Sequence, residues 1–172
     1  MKKKKIHWIQ LLSMAFIVGL FIIFVINLNI QADLIQVGDE APDFELEALN
    51  GDVYQLAAYQ DKPIVLYFFT TWCSSCKTQT PEMIQFQEEF EDVHVLTIVR
   101  SESKRAVEKY IEKTGHTENQ YLFDFNSEVS DRYGVVGQPE TIIINEAGNV
   151  VDHTVGPLTR DSLVEKMENL VY

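Results

Sequence analysis

Between Ile6 and Ile30 the chain runs for 25 residues, IHWIQLLSMAFIVGLFIIFVINLNI, without one Asp, Glu, Lys or Arg. About 20 apolar residues suffice to cross a hydrocarbon core as a helix. A helix is also the structure in which a single segment satisfies its own backbone groups in lipid. Lys2, Lys3, Lys4 and Lys5 stand directly before the run, and cations flanking a first span favour the cytoplasmic side. The pattern predicts a cytoplasmic basic segment over 1–5, a transmembrane anchor over 6–30, a linker over 31–39 and an extracytoplasmic domain over 40–172. A secretory signal peptide that is cut away is the competing reading. Signal-peptide apolar cores usually span about 7–15 residues and end in a small-x-small site. Here the run is longer, and only Ile30-Gln31-Ala32 approximates such a site. The segment is therefore read as an uncleaved signal-anchor, which makes the protein a single-pass protein of the cell membrane. With no cysteine near the end of the run, a lipid-modified N-terminus is excluded.

Charge sorts with this division. All 26 acidic residues lie at or beyond Asp33, whereas four of the 14 basic ones lie in the lysine run. The exported part thus carries −16, from 10 basic and 26 acidic residues. Such a surface repels nucleic acid and offers no electrostatic footprint for binding it.

Beyond the linker, two apolar stretches flank Asn50-Gly51 in APDFELEALNGDVYQL, a hairpin signal. PIVLYFFT, 63–70, is continuously apolar and β-rich, the mark of a strand buried on both faces. Met83, Ile84, Phe86 and Phe90 then return at helical spacing, with Pro81 interrupting early. VHVLTIVR, 93–100, reads as a second buried strand, and SKRAVEKYIEKTG, 103–115, as an amphipathic helix stopped by Gly115. YLFDF is a short strand, SEVSDRYG a short helix, and ETIIIN, 140–145, a strand that turns into VVDHTV. Thr159 is placed to cap a last helix whose apolar face holds Leu163, Val164, Met167 and Leu170 or Val171. Strands alternating with helices, closed by a hairpin and a helix, predict an α/β sandwich with a mixed sheet.

Cys73 and Cys76 are the only cysteines. A loop that short removes little entropy from the unfolded chain, so a bridge there serves chemistry rather than stability. A strand ending near Thr70 or Thr71 and a helix starting near Cys73 put the first thiol at a helix N-terminus. Free N–H groups and the helix dipole stabilise a thiolate there. Cys76, one turn on, lies beneath it and can attack a mixed disulfide formed by Cys73. Cys73 is thus expected as nucleophile and Cys76 as resolving thiol, with Lys77 adding a positive charge nearby. No metal is expected. Two cysteines fall short of the four ligands of a structural zinc, and His94, His116 and His153 show no ligand spacing, while His7 lies in the anchor.

TWCSSCK after an apolar strand resembles the WCxxCK core of thioredoxin-fold proteins. Pro81, five residues beyond Cys76, matches the proline that kinks the active-site helix of that family, and GVVGQPETIII resembles its cis-proline segment, with Pro139 at the cis position. The opening VGDEAPDFEL, the NGDVYQL hairpin, the anchor, and the extra helix and strand between 102 and 125 resemble the TlpA/ResA-type branch of membrane-anchored thiol–disulfide oxidoreductases. The resemblance covers about residue 35 to the end. It implies an α/β, thioredoxin-like fold with a mixed central sheet, an N-terminal β-hairpin and a helix–strand insertion, preceded by one N-terminal transmembrane helix. It further implies no cofactor beyond a redox-active Cys73–Cys76 disulfide, with disulfides or dithiols of exported proteins as substrate. A membrane thiol electron carrier of the CcdA/DsbD type would restore the dithiol, and the roles implied are apocytochrome c maturation or spore-envelope assembly. Trp72 would lie beside the nucleophile on an apolar docking surface, or else pack into the core. The backbone of Gln138 would pair with an extended substrate.

Three positions depart from the family's pattern. Ser74 and Ser75 occupy the tuning dipeptide between the cysteines. Gln79 stands where ResA-like proteins carry a glutamate, and Tyr67 where cytoplasmic thioredoxins carry a buried acid. Glu82, a turn beyond Gln79, is a candidate substitute acid or a plain surface residue. The same residues run in reverse as a disulfide-forming oxidant if the dithiol is the more stable form. A peroxidase shares the APDF opening and has Thr70 three before Cys73, but its required proline position is Leu66. A copper-binding assembly factor would use His153 with cysteines separated by three residues, C-x-x-x-C, whereas two separate them here, C-x-x-C.

Overall fold

The computed structural model describes Trp8 and residues 12–25, 35–59 and 61–169. The chain divides into two compact units, Met1–Leu34 and Ile35–Tyr172. In the first, residues 12–25 form helix α1, with Phe16, Phe21 and Ile23 more than 60% exposed at 68%, 65% and 63%. No helix among the described residues is long and apolar enough to cross a membrane. The remainder of the anchor expected over 6–30, Trp8 apart, lies outside the described residues, as do residues 1–5, residues 31–34 of the linker, and Leu170 and Val171 of the last apolar face.

The second unit is built on one mixed seven-stranded sheet in the order β2-β1-β5-β4-β3-β6-β7. β1 (Glu45–Ala48) and β2 (Val53–Gln55) form the N-terminal hairpin. Its turn uses Gly51 at φ 92°, a conformation that favours a residue without Cβ, and Asn50 Oδ1 accepts the Asp52 N–H at 3.0 Å. The centre is β3 (Ile64–Phe69), β4 (His94–Arg100) and β5 (Gln120–Asp124), all parallel, with β6 (Glu140–Ile144) and β7 (Val150–Val155) antiparallel at the other side. Every residue of β3 is buried, as expected of a strand covered on both faces. Alternation then divides the core. Ile64, Leu66 and Phe68 join Ile98, Ile142 and Tyr133 on one face. Val65, Tyr67 and Phe69 join Met83, Phe86, Val107 and Leu163 on the other.

The helices are α2 (Ser74–Glu89), α3 (Lys104–Thr114), α4 (Glu128–Arg132) and α5 (Arg160–Glu168). Gly115 ends α3 in the left-handed region at φ 75°, its N–H bonded to the Ile111 carbonyl, the usual helix stop. Thr159 caps α5 by accepting the Ser162 N–H at 3.3 Å. Pro81 lies inside α2 and lacks the amide that would bond the carbonyl of Lys77.

The compact unit begins within the stretch read as linker. Gly38 and Ala41 donate to the carbonyls of Val150 and Gly148 at 2.8 Å each, and Val150 returns a bond to Asp39. Residues 38–41 therefore fasten to the start of β7. The register of β3 on β6 then positions the site. Phe68 stands opposite Glu140, so the segment entering β6, Val136 to Pro139, meets the end of β3 where α2 begins.

Candidate active site

Cys73 is the N-cap of α2, with extended backbone (φ −74°, ψ 118°). Its sulfur accepts the Cys76 N–H at 3.1 Å, its own N–H bonds the Thr70 carbonyl, and its carbonyl takes the first helical bond from Lys77. Cys73 and Cys76 are joined as a disulfide. Cys73 keeps 7% of its surface exposed and Cys76 none. Attack from outside is thus open to the first sulfur only. In the reduced state the same Cys76 N–H and the helix dipole favour charge on that sulfur.

Around the pair, Trp72 is 69% exposed, so it is a rim residue and not a core one. Ser75 Oγ lies 3.4 Å from the Cys73 sulfur; Ser74 and Lys77 are exposed. The Gln138–Pro139 peptide is cis, and the Gln138 carbonyl oxygen lies 3.5 Å from the Cys73 sulfur. The sequence segments around 73 and 138 are thus one site.

Gln79 is buried beside it. Its Nε2 donates to Thr141 Oγ1 at 3.0 Å, and its Oε1 accepts the Leu158 N–H at 3.1 Å. The amide fills the position with a donor and an acceptor, both used. Glu82 does not turn toward the thiols in its place, because its Oε2 accepts the Arg160 N–H at the start of α5. Tyr67, at the position of the buried acid, is fully buried. Its hydroxyl donates to the Cys76 carbonyl at 2.9 Å and lies 3.4 Å from Thr80 Oγ1, which donates to the same carbonyl. Desolvation pushes the Tyr67 phenol well above its usual value, so it stays neutral.

Two further contacts were not legible in the sequence. Glu102, just before α3, accepts the Thr71 N–H and hydroxyl at 2.6 and 2.7 Å, fixing the turn that carries Trp72. Nothing in the sequence marks it. Glu140 accepts the Val136 and Gly137 N–H groups at 2.9 and 2.7 Å and pairs with His153 at 2.7 Å. Its signal was a carboxylate opening a strand otherwise made of Thr and Ile, directly after Pro139. The copper reading required His153 beside both cysteines; the Nε2 of that imidazole is engaged by Glu140 instead. His94 and His116 likewise face Asp61 and Tyr110. Among the described residues no group of three or more His, Cys, Asp or Glu side chains is arranged to hold a metal ion.

A mixed sheet with a C-x-x-C pair at the N-terminus of the helix after its central strand, facing a cis-proline, defines a thioredoxin-fold redox protein. The AhpC/TSA family pattern matches residues 37–153. The thiol–disulfide oxidoreductase ResA of Halalkalibacterium halodurans is 30% identical over 171 residues, 98% of this chain and 97% of that one. ResA of Bacillus subtilis is 32% identical over 139 residues, 80% of this chain and 76% of that one. Among solved structures, the pneumococcal exposed lipoprotein thioredoxin of Streptococcus pneumoniae superposes with a TM-score of 0.68 at 25% identity, covering 74% of this chain and 99% of that one. The chain belongs to the AhpC/TSA family and is a thiol–disulfide oxidoreductase of the ResA type with a Cys73–Cys76 pair.

Proposed function

We propose that this domain is held outside the cytoplasmic membrane by the segment over 6–30 and reduces disulfides in exported proteins. The observation that carries the reading is the asymmetry of the pair: Cys73 at the surface and capped onto α2, Cys76 fully buried beneath it. The Cys73 thiolate attacks one sulfur of the substrate disulfide; the other sulfur leaves as thiolate and takes a proton from solvent. The Cys76 thiolate then attacks the Cys73 sulfur of the mixed disulfide, forming Cys73–Cys76 and releasing the second substrate thiol. Two electrons pass from the pair to the substrate. A membrane dithiol carrier of the CcdA/DsbD type returns them. The uncharged, helical and exposed character of residues 12–25 supports the anchor. Cysteine pairs of apocytochrome c before haem attachment, or disulfides of the spore envelope, are the substrate classes this reading favours. Trp72 and the Gln138 backbone form the edge against which an extended substrate lies.

The reduction potential of the full-length chain in detergent, equilibrated with defined thiol/disulfide buffers, tests the direction. A value near or below roughly −270 mV makes it a reductant, and one towards roughly −120 mV makes it an oxidant. The latter result overturns the reducing role and turns the search to exported proteins that need disulfides made.

A further inference from the structure

Outside α1, the large apolar side chains that stand exposed among the described residues are Val37, Val53, Trp72, Phe125, Val136 and Val155. They are not scattered. Trp72 directly precedes Cys73, Val136 lies in the segment entering β6, and Val155 pairs with Glu140, the first residue of β6. Phe125 follows Asp124, the last residue of β5, which pairs with Arg100, the last of β4. Strands β3, β4 and β5 run parallel, so Trp72 and Phe125 leave the sheet at the same end. All but Val37 and Val53 therefore stand at the end that carries the disulfide. Single exposed apolar side chains are ordinary, whereas several gathered around one reactive atom mark a contact surface.

Phe125 is set apart from the others of this group. In the order β5-β4-β3-β6, Pro139 enters β6 on one side of Cys73, and Phe125 lies on the other. The ground between is tied down. Thr71 donates its N–H and hydroxyl to Glu102, and the Ser101 N–H bonds the Asp124 carbonyl at 2.9 Å. The Phe125 ring is held as well. It stacks on Phe123, with centroids 5.3 Å apart and 18° between the planes. Phe123 is 2% exposed and packs in one cluster with Cys73 and Cys76, so Phe125 lies on the disulfide face with 48% of its surface open. A ring fixed against a buried partner loses little rotamer freedom when something covers it.

The chemistry says what covers it. In the mixed disulfide the substrate is bonded to the Cys73 sulfur, so a chain lying over Phe125 belongs to that same molecule. From β3 to β5 is two strand spacings, about 10 Å, which an extended segment crosses in about three residues. We infer that Phe125 is a specificity-determining residue. Its open ring receives an apolar or aromatic side chain about three residues from the attacked cysteine, on the side of Cys73 away from the cis-proline loop. This assignment rests on the reading that disulfides of exported polypeptides are the substrates.

The test compares full-length wild-type, Phe125→Ala and Val37→Ala chains, with dithiothreitol as electron donor. Val37 adjoins Gly38, which bonds the start of β7, at the end of the sheet opposite the disulfide. The substrates are hydroxyethyl disulfide and short peptides closed by one disulfide. The peptides carry Phe or Ala about three residues before the first cysteine or after the second. Wild type favours Phe over Ala about tenfold in kcat/KM at one of these positions, the size of an aromatic pair taken out of water, and the gain sits in KM. In Phe125→Ala that ratio falls to near unity, and in Val37→Ala it stays at the wild-type value. Wild type without preference at either position, a preference that survives Phe125→Ala, one that Val37→Ala also removes, or a gain confined to kcat overturns the assignment. If Phe125→Ala does not fold, Phe125→Leu keeps apolar bulk against Phe123 but loses the flat ring. A partial fall in the ratio is then expected, and an unchanged ratio overturns the assignment. Wild-type protein that turns over hydroxyethyl disulfide but none of the peptides overturns the protein-disulfide reading itself, a result distinct from peptides reduced without preference.

Discussion

The phenol of Tyr67 donates to the backbone carbonyl of Cys76 across 2.9 Å, directly under the disulfide. Thr80 Oγ1 donates to the same oxygen at the same distance, so the carbonyl has two side-chain donors. Tyr67→Phe removes one of them and leaves the other. The expected cost is about 1 kcal/mol of stability, read as a lower urea midpoint with an unchanged slope. The pH profile of thiol exchange keeps its shape in this variant. A displaced limb of that profile would mean that the phenol handles the Cys76 proton.

The exposure difference between the cysteines predicts an asymmetric pair of variants. Cys76→Ser accumulates a mixed disulfide between Cys73 and substrate, because the resolving thiol is gone. Cys73→Ser accumulates none, because Cys76 has no exposed surface. Mass spectrometry of alkali-free, acid-quenched reactions distinguishes them, and a trapped adduct on Cys76 would reverse the assigned roles.

Gln79 uses both ends of its amide inside the protein. Gln79→Glu places a carboxyl where only 1% of the residue is exposed, and burial raises a carboxyl pKa. A group raised in the folded state contributes its full stability below its unfolded value and loses it as pH rises through the folded value. The substitution should therefore cost about 1–3 kcal/mol at neutral pH and less near about pH 4. Urea denaturation at the two pH values checks this; a cost that grows on acidification would contradict it.

Alkali should unfold the domain through its buried phenols. Burial pushes Tyr121 up to about 12, and raises Tyr67 and Tyr133 further still. In the unfolded chain each ionises near about 10, so above that pH the unfolded state binds fewer protons and stability falls with rising pH. Each such tyrosine contributes a slope of about 1.4 kcal/mol per pH unit until its folded value is passed. Phenolate absorbance should rise together with loss of secondary structure rather than before it. Full ionisation of a still-folded domain would refute the burial argument.

Much of the fold was legible because its signals are local. Continuous apolar runs marked β3 and β4, helical spacing and Gly115 bounded α3, and Thr159 marked the start of α5. The boundary of the domain was less legible. Nothing in QVGDEA announces that residues 38–41 bond to the start of β7, because that pairing depends on a partner more than 100 residues away. Trp72 shows the same limit: an indole beside a nucleophile reads equally as rim or core, and only the turn pinned by Glu102 leaves it exposed.

The sequence by itself determined the chemistry that arises within a few residues. It placed a C-x-x-C pair at the junction of a buried strand and a helix, so that the first sulfur meets the helix N-terminus and the second lies one turn below. Tertiary structure alone decided what surrounds that pair. Gln138 is 65 residues from Cys73 and Thr141 is 62 from Gln79, and both are brought in by the antiparallel register of β3 on β6. Strand order and register are set by summed packing across the whole sheet, not by any short stretch of chain. That is why the two thiols could be read from one heptapeptide, whereas the bonds of Glu140 to the cis-proline loop and to His153 became visible only once the sheet was assembled.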